Sequence, residues 1–347
     1  MAISEQELQE LRNYLEKAER PIYFFDDDPD GLCSFLLFYR RNMAGKGVIV
    51  KSSPEVGENY AAKVNEYDAD YVFILDKPLL SPDFVENCDR PIIWLDHHSP
   101  AGLPGTHYYN PRIANREDGR PTSYWAYRVV EEDLWIAMVG MIGDWFIDPE
   151  LAARFSEQYP DLLPRNMLNP AEVLFNTKLG ELSRVFSFVL KGRNSEVMKS
   201  IKILTRVKSP NEILMQETPA GRFIYKKYLS VKEEYDALMN DILKKHSNDN
   251  PILYIYPSSK MSFTGELSNE ILYRFPDRMN IICREKGGYL KCSLRSQKGN
   301  LPESIKKALS GLDGYGGGHD NACGLSIREK DFKTFLKRLK GKGEGGF

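Results

Sequence analysis

Apolar residues fall into two textures along the chain. In the first hundred residues they form short runs, "PIYFF" (21–25), "GVIVKS" (47–52), "YVFILD" (71–76) and "PIIWLD" (91–96), separated by longer mixed stretches. Each run predicts a short strand, and "GLCSFLLFYRRNMAG" (31–45) predicts a helix that ends at glycine. Upstream, Ser4 and Glu7 form a capping-box pattern ahead of a helical stripe of Leu8, Leu11 and Leu15. Strands alternating with helices predict a parallel sheet with crossover helices, an α/β fold.

The second texture is helical. "DLWIAMVGMIGDWF" (133–146) is a strongly apolar helix-like run interrupted at Gly143-Asp144. Residues 150–247 carry apolar stripes with charged faces, and "FIYKKYLSVKEEYDALMNDILKKH" fits a long connecting helix. Past "SNDNP" (247–251) the pattern changes again. "ILYIYPSS", "MNIICREKGGYLKCSLRS" and "FKTFLKRLK" predict a smaller α+β domain. The expected organisation is an N-terminal domain over 1–190, a helical connector over 191–250, a C-terminal domain over 251–340 and a disordered tail over 341–347.

A chain of 347 residues is long enough for two cores. Its net charge of −2 gives no global basic field, so a polyanion would need a local basic surface. The five cysteines are scattered without a C-x-x-C pair, which predicts reduced thiols rather than a zinc ribbon or disulfide framework. The charged N-terminus lacks the apolar core of a signal peptide, and no run of about 18 apolar residues predicts a membrane span. A cytoplasmic protein with no membrane partner is expected.

Candidate chemistry sits where the predicted strands end. "FFDDDPDG" (24–31) crowds Asp26, Asp27, Asp28 and Asp30 into five positions, and Asp76 and Asp96 close two further strands. In open α/β sheets ligands bind beyond the carboxyl ends of strands, so these acids should converge. Crowded carboxylates raise one another's pKa, which calls for positive charge among them. A calcium EF-hand is excluded, because its twelfth position from Asp26 is Leu37 and the preceding segment is strand-like. Capping of the following helix needs one or two acids, not four. "WLDHHSP" (94–100) adds His97 and His98, and Asp144 closes the apolar helix-like run. A mixed oxygen and imidazole set suits a two-metal site able to clamp an in-line phosphoryl displacement. Near the C-terminus, "GYGGGHDNACG" (314–324) offers Gly316, Gly317, Gly318 and His319, and "SLRS" (293–296) offers Arg295 and Ser296. Bare backbone N–H groups and a guanidinium fork both suit phosphate.

In this order, "DDDPDG", Asp76, "DHH" (96–98) and Asp144 resemble the four motifs of DHH-family phosphoesterases. "SLRS" with "GGGHDNACG" resembles the DHH-associated domain of that family's nucleotide-cleaving branch, RecJ-like or nanoRNase-like. The likeness covers roughly residues 20–146 and 250–335. It implies a phosphoesterase domain over 1–190 and a substrate-binding domain over 251–340. It further implies two Mn2+ ions, with Mg2+ or Co2+ as substitutes, held by Asp26, Asp28, Asp30, Asp76, His97 and Asp144, with Asp76 bridging. His98 would ligate or stabilise charge on the phosphoryl oxygens, and Asp96 would orient a histidine. Arg295, Ser296, Gly316, Gly317, Gly318 and His319 would hold the substrate's phosphate or terminal nucleotide. Phe24 stands where many small family members have a histidine, which favours the RecJ-like form.

The implied activity is manganese-dependent hydrolysis of short single-stranded RNA or DNA oligonucleotides from one end to mononucleotides, in a cleft between the domains with a hinge near 245–251. "RVFSFVLKGR", "RFIYKKY" and "YRF" are candidate strand-binding stretches, against solvated helix faces as the plainer reading. A cyclic dinucleotide phosphodiesterase and a 3′-phosphoadenosine-5′-phosphate phosphatase remain alternatives that could use the same site. A replication or repair assembly factor with a vestigial site is the non-enzymatic alternative. Oligomeric state is left open.

Overall fold

A computed structural model describes residues 2–51, 53–246, 248–259 and 261–341, and the side chains of His246 and His319 lie outside that description. The tail expected to be disordered falls almost wholly outside it. The chain forms two compact units, Met1–Tyr228 and Leu229–Phe347, divided inside the helix Pro219–His246.

The first unit is built on strands β1 (Ile22–Asp26), β2 (Lys46–Val50), β4 (Val72–Leu75), β6 (Ile92–Leu95) and β7 (Thr106–Tyr109), with β3 (Glu55–Val56) and β5 (Leu79–Leu80) as a small parallel side ribbon. The main sheet runs β2-β1-β4-β6-β7, every pair parallel. Its three central strands are buried along their apolar runs, as expected where both faces are covered. On one face Phe25 stacks on Phe35 and Phe73 meets Phe38, both from the helix Pro29–Asn42. On the other, Phe24, Ile74 and Trp94 join a cluster with Val64 and Phe84. Each fully buried aromatic or leucine contributes about 1.5–3 kcal/mol, so the strand ends project from a stiff frame. From β1 the chain steps one way to β2 and then returns past it to β4. The order therefore reverses between β1 and β4, a switch point that opens a crevice at their carboxyl ends.

The predicted helices stand, with shifted edges. The one expected at 31–45 begins at Pro29, capped by Asp28, and ends at Asn42 with Met43 left-handed (φ 52°). The apolar run forms Leu134–Gly143, with Asp144 as its C-cap. The stretch after Asp148 is helical, from Pro149–Gln158 through Lys178–Val189 and Asn194–Leu204 to Pro219–His246. No described helix is long and apolar enough to cross a membrane.

The second unit carries β8 (Ile252–Tyr256), β9 (Asn280–Lys286), β10 (Tyr289–Arg295), β11 (Gly314–His319) and β12 (Ala322–Arg328) in the order β11-β12-β10-β9-β8. Only β8 and β9 pair in parallel. The helices Leu301–Leu309 and Glu329–Lys340 cover one face over a core of Ile281, Leu294, Ile305, Leu325 and Phe335. Gly287 and Gly288, both at positive φ, close the tight β9–β10 hairpin. Its register sets Cys283 opposite Cys292, and the two form a disulfide. The expectation of reduced thiols fails at this pair, because two-residue turn geometry aligns cysteines nine positions apart. Cys33, Cys88 and Cys323 take no part in a disulfide.

Candidate metal centre

Every acid expected at the first unit's sheet edge lies at the switch-point crevice or beside it. Asp26 ends β1, and Asp76 follows β4 in a left-handed conformation (φ 58°). Asp28 accepts the Gly31 N–H at 2.9 Å, serving as helix cap and candidate ligand together. Asp30, buried, accepts the N–H groups of Thr122 (2.8 Å) and Ser123 (2.9 Å), which open the helix Thr122–Val130. That helix terminus favours negative charge. The Thr122 hydroxyl donates to Asp76 Oδ1 at 3.1 Å. His97 Nε2 lies 3.4 Å from Asp76 Oδ1 and 3.6 Å from Asp144 Oδ2, long for hydrogen bonds.

Three overlapping groups each bring ligand atoms within 4.8 Å of one another: Asp26, Asp28 and Asp76; Asp30, His97 and Asp144; Asp76, His97 and His98. Asp76 and His97 each belong to two groups. The electrostatics ask for cations there. Burial, then repulsion from Asp26 and Asp30, pushes Asp28 up to about 7. Burial, then repulsion from Asp30 and Asp28, holds Asp76 and Asp144 well above the ordinary carboxylate range, and burial raises Asp30 against its hydrogen bonds. An oxygen-rich set with imidazole fits Mn2+ or Mg2+ and not a thiolate metal.

The DHH histidines divide their work. His98 Nδ1 lies 2.7 Å from Asp96 Oδ1, and its backbone N–H donates to Asp96 Oδ2 at 3.0 Å. Asp96 is fully buried and also accepts from Asn110 Nδ2 at 3.2 Å. Burial works against the charged imidazole, but the Asp96 hydrogen bond and the surrounding acids outweigh it and raise the His98 pKa. Asp96 thus orients His98, leaving His97 to face Asp76 and Asp144.

Lys77 was not foreseen. Its side chain is fully buried, and its Nζ donates to Asp26 Oδ1 at 2.8 Å and to the Ser53 carbonyl at 2.6 Å. The adjacent Asp76 belongs to the same ligand group as Asp26, so Lys77 serves that end of the rim. The only sequence signal was that adjacency. Thr122, Ser123 and Asn110, which fasten Asp30, Asp76 and Asp96, had none.

The phosphate-binding candidates belong to the second unit. Arg295 ends β10, with Nε donating to Asn269 Oδ1 at 2.7 Å, and burial lowers its pKa. The Ser296 hydroxyl donates to the Lys298 carbonyl and accepts the Lys298 N–H, closing a turn. Gly316, Gly317 and Gly318 are strand residues of β11 rather than a loop. Gly318 has φ 148°, and a Cβ there would sit 2.3 Å from the Ala322 carbonyl oxygen. At Gly317 a Cβ would meet nothing within 4 Å. His319 ends the same strand, and its side chain lies outside the described residues.

Comparison with known proteins agrees with this architecture. The DHHA1 domain model matches residues 251–342. No curated protein sequence matches. RecJ from Thermus thermophilus, solved in complex with Mn2+, is similar at TM-score 0.69 and 17% identity, over 96% of this chain and 54% of that one. This chain therefore spans about half the length of that RecJ. An exonuclease RecJ bound to manganese gives TM-score 0.62 and 18% identity over 96% of this chain and 93% of its own. A pGpG-specific phosphodiesterase, PggH from Vibrio cholerae, gives 0.52 and 12% over 94% and 100%. The chain thus carries a C-terminal DHHA1 domain and shares the fold of RecJ.

Proposed function

We propose that the chain is a divalent-metal-dependent phosphodiesterase that shortens single-stranded oligonucleotides from one end. The observation that carries this reading is the convergence of Asp26, Asp28, Asp30, Asp76, His97 and Asp144 into overlapping ligand groups that share Asp76 and His97. Bound there, two Mn2+ ions would supply Lewis acidity and a water acidified towards neutrality. RecJ structures of the same fold contain Mn2+ or Mg2+, which supports this choice of ion.

The chain's own residues supply position and charge. Asp76 and His97 keep the two cation positions adjacent. Asp96 holds the His98 ring through Nδ1, so that Nε2 can donate to a phosphoryl oxygen as charge develops on it. Arg295 and the bare backbone of Gly317 serve a second phosphate, giving orientation rather than chemistry. A soluble, cytoplasmic setting suits such a substrate.

Likeness to a pGpG-specific phosphodiesterase supports a short nucleotide over a long strand. The assay therefore pairs end-labelled RNA and DNA oligomers of several lengths with pGpG, cyclic dinucleotides and 3′-phosphoadenosine-5′-phosphate, under manganese titration. Metal-dependent release of mononucleotides is expected, and Asp76→Ala should abolish it. Undiminished metal-dependent turnover by Asp76→Ala rejects the site. A purified wild-type protein that neither binds manganese nor cleaves any of these is a non-catalytic member of an assembly.

A further inference from the structure

On the second unit's other sheet face the helix Thr264–Arg274 packs against β9 and β10, and the part towards β11 carries exposed side chains that the phosphate-binding residues do not account for. Side chains alternate across a strand, so Leu290, Cys292 and Leu294 point into the helix-covered core while Tyr289, Lys291 and Arg295 lie on the other face. Tyr315 of β11 is on that face too. It stands opposite Ser326, and Lys291 Nζ sits 5.2 Å over its ring and 3.2 Å from its hydroxyl. Arg328 lies 4.2 Å over the Tyr289 ring and pairs with Asp313 at 3.0 Å, which balances that acid. Tyr289, Lys291, Asp313, Gly314, Tyr315 and Ser326 line a cleft of about 210 Å³.

Two details suit a ligand better than a plain surface. Tyr315 is 70% exposed on an edge strand, its ring accompanied by a cation instead of apolar packing. Next along the same face come Gly317 and Gly324, paired across the strands, where an added Cβ would meet nothing within 4 Å. A patch of bare backbone thus lies between the ring and the end of β10 where Arg295 sits. Lys291 and Arg295 are four residues apart on β10, roughly 13 Å at strand rise. A stacking ring, a cation beside it, a bare floor and a guanidinium at the far end match the alternating bases and phosphates of a single strand.

We propose that Tyr315, with Lys291, is a stacking subsite for an inner base of a single-stranded oligonucleotide whose terminal phosphate is taken at Arg295. This rests on the reading of Arg295 given under the proposed function. The subsite selects oligonucleotides over mononucleotides, since a mononucleotide held at Arg295 does not reach the ring.

The test is fluorescence anisotropy of the full chain with fluorescein-labelled pentathymidylate in EDTA, so that binding is read without turnover. Tyr315→Ala should weaken binding about tenfold, within the range for loss of one stacked base, while Tyr315→Phe should retain it. A pentamer of abasic residues should bind the wild type about as weakly as pentathymidylate binds Tyr315→Ala. Equal affinity of Tyr315→Ala and wild type overturns the proposal. So does tight binding of the abasic pentamer, which would mark a purely electrostatic surface. Because Tyr315 is exposed, unchanged melting of the variants separates lost stacking from lost fold. Tyr315-dependent binding without hydrolysis in manganese would sink the proposed activity and leave this subsite standing, whereas hydrolysis with no effect of Tyr315 would do the reverse.

Discussion

Replacing Asp28 with asparagine should stabilise the metal-free protein at neutral and alkaline pH while destroying its response to manganese. Asparagine still caps the helix through the Gly31 N–H, so the exchange removes the titration and keeps the hydrogen bond. The Asp28 carboxyl has an ordinary value of 3.8 and is pushed up to about 7, first by burial and then by Asp26 and Asp30. A carboxyl with a raised folded-state pKa binds its proton more tightly in the native protein. Its contribution is therefore most favourable below pH 3.8 and is lost as pH climbs through the folded value. Three pKa units at about 1.4 kcal/mol each give roughly 4 kcal/mol at most. Solvent that still reaches the half-buried side chain lowers this to about 2–4 kcal/mol. For a unit of this size that is roughly 4–16 °C in Tm. Melting curves of wild type and Asp28→Asn in EDTA at pH 5 and pH 8 provide the measurement. The variant should gain less at pH 5 and most at pH 8, and manganese should raise the Tm of the wild type alone. Equal melting at pH 8 in EDTA would refute the account of a strained acid cluster.

Lys77→Met should lower the metal-free Tm, because it leaves Asp26 beside Asp27 and Asp28 without its buried cation. Breaking a buried pair costs about 3–5 kcal/mol, less here because Asp26 keeps some exposure, and an unchanged Tm in EDTA would count against the pairing. Asp96→Asn should lower the His98 pKa, since burial opposing the imidazolium remains while the hydrogen bond and charge that outweigh it are lost; an NMR titration of the His98 ring reads the shift. Gly318→Ala should cost about 1–3 kcal/mol through its close approach to the Ala322 carbonyl. Gly317→Ala should stay within about 0.5 kcal/mol, and comparable losses in thermal melting would contradict the strand geometry.

Legibility in the sequence followed burial. β1, β4 and β6 were readable because both faces are covered, which turns their sequences into unbroken apolar runs. β7, "THYY", was missed: it is an edge strand with polar and half-exposed positions, and no run marks it. The acids were readable as a set because each ends an element, and the switch point between β1 and β4 carries such ends into one crevice. What fastens them was not. Thr122 and Ser123 act on Asp30 through backbone N–H groups, which carry no residue signature. "GYGGGH" carries no strand signal because glycine disfavours strands, yet pairing with β12 in register overrides that preference. The cysteine pair was hidden for a similar reason, since spacing in the chain says little until a hairpin fixes who faces whom.

Lys77, sealed beneath the rim, gives the crevice a partner for Asp26 that belongs to the chain and that no chelator can strip. Part of the repulsion among the aspartates is thus answered by the polypeptide itself. Under the proposed function, such a protein would fold in a metal-poor environment, and its output would follow the supply of ions more than the rate of synthesis.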